Sequence, residues 1–265
     1  MTTTSFQKQD LPVLDTLDPE LLERVVDRRG AIGNITAATA ALAVASVPLG
    51  LGVLAKRAFA QGGPLPQGIR DVLNFALTLE YLEAEFYQLG LAAPGLIPVG
   101  TGPVFVQISN HEDAHVALLQ AALGATAVAK PTFDFTAGGA LADVFSNYAT
   151  FLALAQGFED TGVRAYKGQA GALITDNAIL TTALQIHSVE ARHASKVRRL
   201  RAQKGWITGS AVDVLALVGV YVGEETVTQA AVNTTGFAGV NAATEAFDEP
   251  LTMAQVLAIA GPFIV

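Results

Sequence analysis

The feature that most constrains this chain is a pattern that occurs twice. Glu80 is followed seven residues later by Tyr87, and then by Glu112 and His115 in a Glu-x-x-His arrangement. Glu159 is followed in the same way by Tyr166, and then by Glu190 and His193. The interval from the first Glu to the second is 32 residues in one copy and 31 in the other. A duplicated pair of helices gives this arithmetic. Seven steps of about 100° bring Tyr87 back to within roughly 20° of Glu80, two turns further on. Glu and His three apart lie about one turn apart on one helix face.

Four such helices put one Glu on each of two helices and Glu-x-x-His on each of the other two. That is the inward-facing ligand set of carboxylate bundles that hold two iron or two manganese ions. Glu80, Glu112, His115, Glu159, Glu190 and His193 are therefore the candidate metal ligands. Four carboxylates and two imidazoles suit hard to borderline divalent ions. A bundle interior tolerates them chiefly because two divalent cations neutralise four negative charges; an unpaired buried carboxylate costs several kcal/mol. Glu83 lies about 60° from Glu80 around the helix and is a further candidate, as ligand or as neighbour to the ligands. Glu85 points about 140° away and reads as surface. Tyr87 and Tyr166 read as core residues whose hydroxyls reach the site, and are the candidate catalytic side chains. His111 and His187 break the repeat and read as structural. Arg164 and Arg192 sit near the ligands in sequence, either balancing their charge or facing outward.

These residues resemble those of the ferritin-like superfamily. Within it, Leu73 to Tyr87 and the tail Phe247-Asp248-Glu249-Pro250-Leu251-Thr252 are similar to the exported bacterial ferritin-like domain family, related to plant and fungal desiccation-associated proteins. The resemblance covers roughly residues 66 to 265. It implies an all-α, ferritin-like four-helix bundle with a long crossover between the second and third helices. It implies bridging roles for Glu112 and Glu190, terminal or semi-bridging roles for Glu80 and Glu159, and one metal on each of His115 and His193. The implied cofactor is two divalent ions, iron first and manganese as the alternative. The implied activity is handling of peroxide or dioxygen, or ferrous oxidation, as an oxidase, peroxidase or manganese catalase. A non-enzymatic protein of stress, desiccation or the cell envelope, with a structural or vestigial metal site, is the alternative, and iron storage in a shell comes third.

The helices are readable from apolar spacing and punctuation. The first is expected over about 69–89, the second from Thr101 or Pro103 to Leu123, the third over 141–167, and the fourth from after Asp176 to Gln203. Residues 125–141, with Phe133 and Phe135 as core plugs, form the expected crossover. The bundle thus spans 69–205, preceded by a linker at 61–68. Residues 206–265 are a C-terminal extension that packs on the bundle or on a partner. In it, 214–222 reads as a buried helix or strand, 233–236 as a turn, and Thr252-Met253-Ala254-Gln255 as a capping box. Basic residues from Lys196 to Lys204 read as favourable partners of the fourth helix's C-terminus.

Residues 1–60 read as an export signal or an anchor. Arg28-Arg29 precede 31–55, which carry no charge, and Lys56-Arg57 and Ala58-Phe59-Ala60 follow. The pattern resembles a twin-arginine signal and predicts an exported, periplasmic or cell-envelope location. The alternatives are a retained anchor with membrane association through 31–55, which is long enough to span a bilayer, or a helix docked on the protein itself. The net charge of −8 argues against a nucleic-acid partner. The absence of cysteine excludes disulfides, iron–sulfur clusters and a rubredoxin-type iron centre. The expected partners are a small-molecule oxidant and further copies of the chain in a homo-oligomer.

Overall fold

A computed structural model describes residues 65–265. The expectations for 1–60, signal, anchor or docked helix, lie outside the described residues, as does most of the linker. Among the described residues no helix is long and apolar enough to cross a membrane.

Four helices form the bundle: α1 (Gln67–Ala92), α2 (Gly102–Leu123), α3 (Tyr148–Gln169) and α4 (Asn177–Leu200). The all-α class and ferritin-like topology expected from the sequence are what the chain adopts. α1 pairs with α2, and α3 pairs with α4. Each helix starts and stops for a local reason. Pro103 sits in the first turn of α2, where its missing N–H is no loss. Asn147 caps α3 by accepting from the Ala149 N–H at 3.0 Å. Asp176 caps α4 by accepting from the N–H groups of Ala178 and Ile179, each at 3.1 Å. Gly90 lets the end of α1 touch the ring of Phe151, which a β-carbon there would meet at 2.3 Å.

The third helix begins later than expected. Residues 141–147 form turns, and α3 starts only at Tyr148. Leu141 and Val144 are both buried, three residues apart, so their spacing imitates a helix. Asp143 breaks it, accepting from the Asn147 side-chain amide at 2.8 Å and fixing the residue that caps α3. The crossover is correspondingly longer, and Phe135 plugs the core beneath it, with Phe133 partly buried alongside.

From Phe151 to Tyr166 every residue of α3 is buried. A helix buried on all sides needs cover on the side away from the bundle, and the C-terminal extension supplies it. This extension comprises a 3₁₀ segment (Leu215–Tyr221), a two-stranded hairpin of β1 (Thr228–Gln229) and β2 (Val232–Asn233), α5 (Thr235–Glu245) and α6 (Met253–Ala260). Thr252 and Gln255 form the expected capping box of α6. The turn expected at 233–236 is instead the end of β2 and the start of α5, with Asn233 Oδ1 accepting from the Thr235 N–H at 2.9 Å. The last residues pair with the crossover: the Asp134 N–H donates to the Phe263 carbonyl at 2.9 Å, and the Val265 N–H to the Thr132 carbonyl at 2.9 Å.

Side chains of α3 and α4 hold this cover. Arg164 is fully buried yet does not face the candidate ligands. Its Nε donates to the Glu249 carbonyl at 2.7 Å and pairs with Glu224 Oε1 at 2.8 Å, and its terminal nitrogens reach the carbonyls of Val220 and Val222. Arg198 forms a bidentate pair with Asp160, which also accepts from the Tyr221 hydroxyl at 2.7 Å. Arg201 pairs with Asp213 at 2.5 Å, and Lys204 with Glu245 at 2.5 Å. Three of the basic residues near the end of α4 therefore engage acidic side chains rather than its terminal carbonyls, while Arg192 is exposed.

Candidate metal centre

The six residues singled out by the repeat meet at the middle of the bundle. Glu80 comes from α1, Glu112 and His115 from α2, Glu159 from α3, and Glu190 and His193 from α4. All four carboxylates are 0% exposed. One ligand atom from each of Glu80, Glu112, Glu190 and His115 lies within 4.8 Å of the others, and the same is true of Glu112, Glu159, Glu190 and His193. Glu112 and Glu190 belong to both groups.

The distances show why the arrangement suits cations. His115 Nδ1 faces Glu80 Oε2 at 3.1 Å, Glu112 Oε2 at 3.1 Å and Glu190 Oε1 at 3.2 Å. His193 Nδ1 faces Glu112 Oε1 at 2.9 Å and Glu159 Oε2 at 3.2 Å, with Glu190 Oε2 at 4.0 Å. One imidazole nitrogen carries at most one hydrogen, so it cannot serve three converging acceptors. Glu112 Oε1, Glu159 Oε2, both oxygens of Glu190 and His193 Nδ1 are buried without a well-formed hydrogen bond. Orphaned polar atoms are rare in a protein interior, and these share one focus. The donor set suits divalent cations: each group has one histidine and one carboxylate of its own, and Glu112 and Glu190 belong to both.

The tyrosines complete each half by crossing between helices. Tyr87, on the helix of Glu80, donates to Glu159. Tyr166, on the helix of Glu159, donates to Glu80. Each leaves the second oxygen of its carboxylate, Glu159 Oε2 and Glu80 Oε2, facing a histidine.

Electrostatics record the crowding. Burial pushes the Glu80 and Glu190 carboxyls up to about 8, despite His115. Burial also raises Glu159, against the pull of His193. Glu112 goes the other way: hydrogen bonds from His115 and His193 outweigh its burial and hold it at about 2. Burial opposes charge on His193, but Glu159 and Glu112 outweigh it and raise the ring to about 11. His115 is raised for the same reason, with Glu80 foremost.

Glu83 is the seventh member of the neighbourhood. It is 3% exposed, and burial followed by repulsion from Glu190, Glu159, Glu112 and Glu80 raises its carboxyl well above the usual range. It belongs to neither of the two four-residue groups. Its place depends on Gly162, which stands in α3 at the position matching Glu83 in α1, each three residues after its Glu. A β-carbon at Gly162 would meet Glu190 Oε2 at 3.3 Å and Glu83 Oε1 at 3.4 Å. A small cavity lined by Leu79, Leu82, Phe158 and Thr161 opens beside Glu83, beneath Ile259 and Ala260 of α6.

His111 is half-buried and offers the candidate centre no ligand atom, but its Nδ1 lies 2.8 Å from His193 Nε2. His187 is also outside the centre; burial and then Lys167 lower its pKa. Glu85 is partly exposed and pairs with Lys130 at 2.6 Å. The roles of His111 and Gly162 escaped the sequence reading. The available signal was the repeat itself, since His111 matches Val189 and Glu83 matches Gly162.

A four-helix bundle with an internal carboxylate–histidine cluster of this kind defines a class, that of proteins able to hold metal ions at the bundle centre. The match to a family model makes the assignment particular: the model described as ferritin-like domain fits residues 69–203. The chain belongs to the ferritin-like domain family. No curated protein matches it significantly.

Proposed function

We propose that this protein binds two divalent ions, iron or manganese, and uses them in redox chemistry on peroxide, dioxygen or ferrous iron. The observation that carries the reading is the pair of donor groups sharing Glu112 and Glu190. Glu112 and Glu190 would let two ions sit close together, an arrangement that would suit a two-atom oxidant. When bound, such ions supply Lewis acidity and electron storage for making or breaking an O–O bond. The protein's own residues orient and enclose. Tyr87 and Tyr166 each hold one oxygen of Glu159 and Glu80 and so orient the other toward the centre. Burial of all four carboxylates restricts entry to small molecules, and the cavity beside Glu83 is in keeping with that size. With no cysteine available as a thiol reductant, electrons come from the substrate or from an outside donor.

The test is metal per polypeptide by mass spectrometry, on protein purified without chelator, with a Glu112→Ala/His193→Ala double variant as control. About two iron or manganese ions per chain, lost in the variant, is the result expected from the bundle ligand set. The bound metal then selects between peroxide disproportionation and ferrous oxidation as the activity to assay. Absence of metal after anaerobic loading would overturn the reading and leave a structural bundle.

A further inference from the structure

The repeat that builds the centre fails at one telling place. Residue 111 precedes the Glu of the first Glu-x-x-His and is histidine; residue 189 precedes the Glu of the second and is valine. His111 on α2 reaches across to α4, its Nδ1 lying 2.8 Å from Nε2 of His193. The two rings are 5.1 Å apart between centroids and within 12° of parallel. On its far side, His111 Nε2 lies 2.5 Å from the side-chain amide of Gln107, one turn earlier on α2. Val189 has no polar atom with which to do the same for His115.

The direction of this chain of hydrogen bonds follows from which nitrogen of His193 faces the carboxylates. That nitrogen is Nδ1. An imidazole that gives Nδ1 to a cation keeps its single hydrogen on Nε2 and donates it outward. The acceptor at that position is Nδ1 of His111, which must then be bare. His111 accordingly carries its hydrogen on Nε2, directed at Gln107. A half-turn of the Gln107 amide presents its oxygen as the last acceptor; which amide atom faces the ring is set by the network itself. Partners of this kind fix the tautomer and orientation of a metal-bound histidine, and their removal typically lowers metal affinity by 10- to 100-fold.

We propose that His111 is a positioning residue for His193, acting as the acceptor of its Nε2–H, and that it makes the two metal positions unequal in affinity. The inference rests on the two-ion reading above. The position served by Glu159 and His193 has this support; the position served by Glu80 and His115 lacks its counterpart.

The experiment is titration of the metal-free full chain with manganese(II), followed calorimetrically and by the electron paramagnetic resonance of free and bound ion. Wild type is compared with His111→Phe and His111→Gln. Phenylalanine keeps a ring of similar size without an acceptor, whereas the glutamine side chain restores one. The expected result is that His111→Phe weakens one of the two ions by about 10- to 100-fold and leaves the other within a few-fold, while His111→Gln recovers most of the loss. A second readout is the nitrogen NMR of the zinc-loaded protein, expected to show His193 protonated on Nε2 in wild type. Wild-type affinities for both ions in His111→Phe would overturn the proposal, as would equal losses in the two variants, which would indicate packing. A wild-type chain that takes up no metal would overturn the two-ion reading and this inference together.

Discussion

The halves of the duplicated bundle agree at the ligands and part company just outside them. Glu80 and Glu159, Glu112 and Glu190, His115 and His193, and Tyr87 and Tyr166 occupy matching positions, and the two tyrosines cross in opposite senses to the same effect. Around this shared set, Glu83 faces a glycine at its matching position, His111 a valine, and Glu85 an arginine. The last contrast has the widest structural reach. Glu85 makes a partly exposed ion pair with Lys130, whereas Arg164 is sealed beneath the C-terminal extension with Glu224 and three carbonyls. Both helices are covered, α1 by the crossover and α6, and α3 by the extension, but Glu85 falls at a partly exposed edge and Arg164 in the interior. Identical chemistry at the centre is thus compatible with divergent surroundings, because the candidate ligands face one another and the outer residues answer to whatever lies against each helix.

Single substitutions can break or sharpen this comparison. The largest effect is expected from Glu112→Ala, which removes a donor from both groups. It should abolish retention of both ions, measured as metal per chain after gel filtration, whereas Glu80→Ala should spare the ion on His193. Next is Arg164→Ala. Breaking a buried pair typically costs about 3–5 kcal/mol, so its chemical-denaturation midpoint should fall sharply. A smaller shift, on the order of 2 kcal/mol, is expected from Glu83→Gln in metal-free protein. Its carboxyl is raised by burial and like charge, so the neutral amide relieves an unfavourable group; a raised melting temperature is the outcome that supports this.

The metal-free chain should also lose stability with rising pH. Glu80 and Glu190 titrate near 8 in the folded state, against 4.5 for the ordinary side chain. Between those values the folded state binds more protons than the unfolded one, so the slope of stability against pH is negative. His193, raised from 6.5 to about 11, adds in the same direction at higher pH. Melting temperatures should therefore fall from pH 5 to pH 8. Saturating metal should flatten the trend by taking the protons' place. The smallest effect is expected from Glu85→Ala: about 0–1 kcal/mol, as for other exposed pairs. A large loss there would contradict the contrast between the partly exposed Glu85 pair and the buried Arg164 pair.

The helices and the convergence of the six candidate ligands were legible because both depend on short-range periodicity. Glu-x-x-His needs only one turn, and Asp176 caps the helix that immediately follows it. What was illegible depends on distant partners. Arg164 lies close to Glu159 in sequence, which invited the idea that it balances the site's charge. Its actual partners are the remote Glu224 and the main-chain carbonyls of Val220, Val222 and Glu249, and a carbonyl leaves no trace in residue identity. Arg198 misled in the same way, since Asp160 is remote in sequence but adjacent in space. The late start of α3 was hidden by Leu141 and Val144, whose burial under the crossover copies helical spacing. His111 was visible as a departure from the repeat, but only three-dimensional placement shows that the departure points at His193.

The pairing of Asp134 and Thr132 with Phe263 and Val265 bears on the order in which the protein is made. Synthesis runs from the N-terminus, so every ligand through His193 has emerged before the residues that clasp the crossover exist. During that interval the segment that covers α3 is absent, and the cavity beside Glu83 lacks Ile259 and Ala260 from its lining. If the centre binds ions as proposed, loading would meet least obstruction ahead of the final clasp. A nascent chain stalled short of residue 250 should take up ions faster than the finished protein.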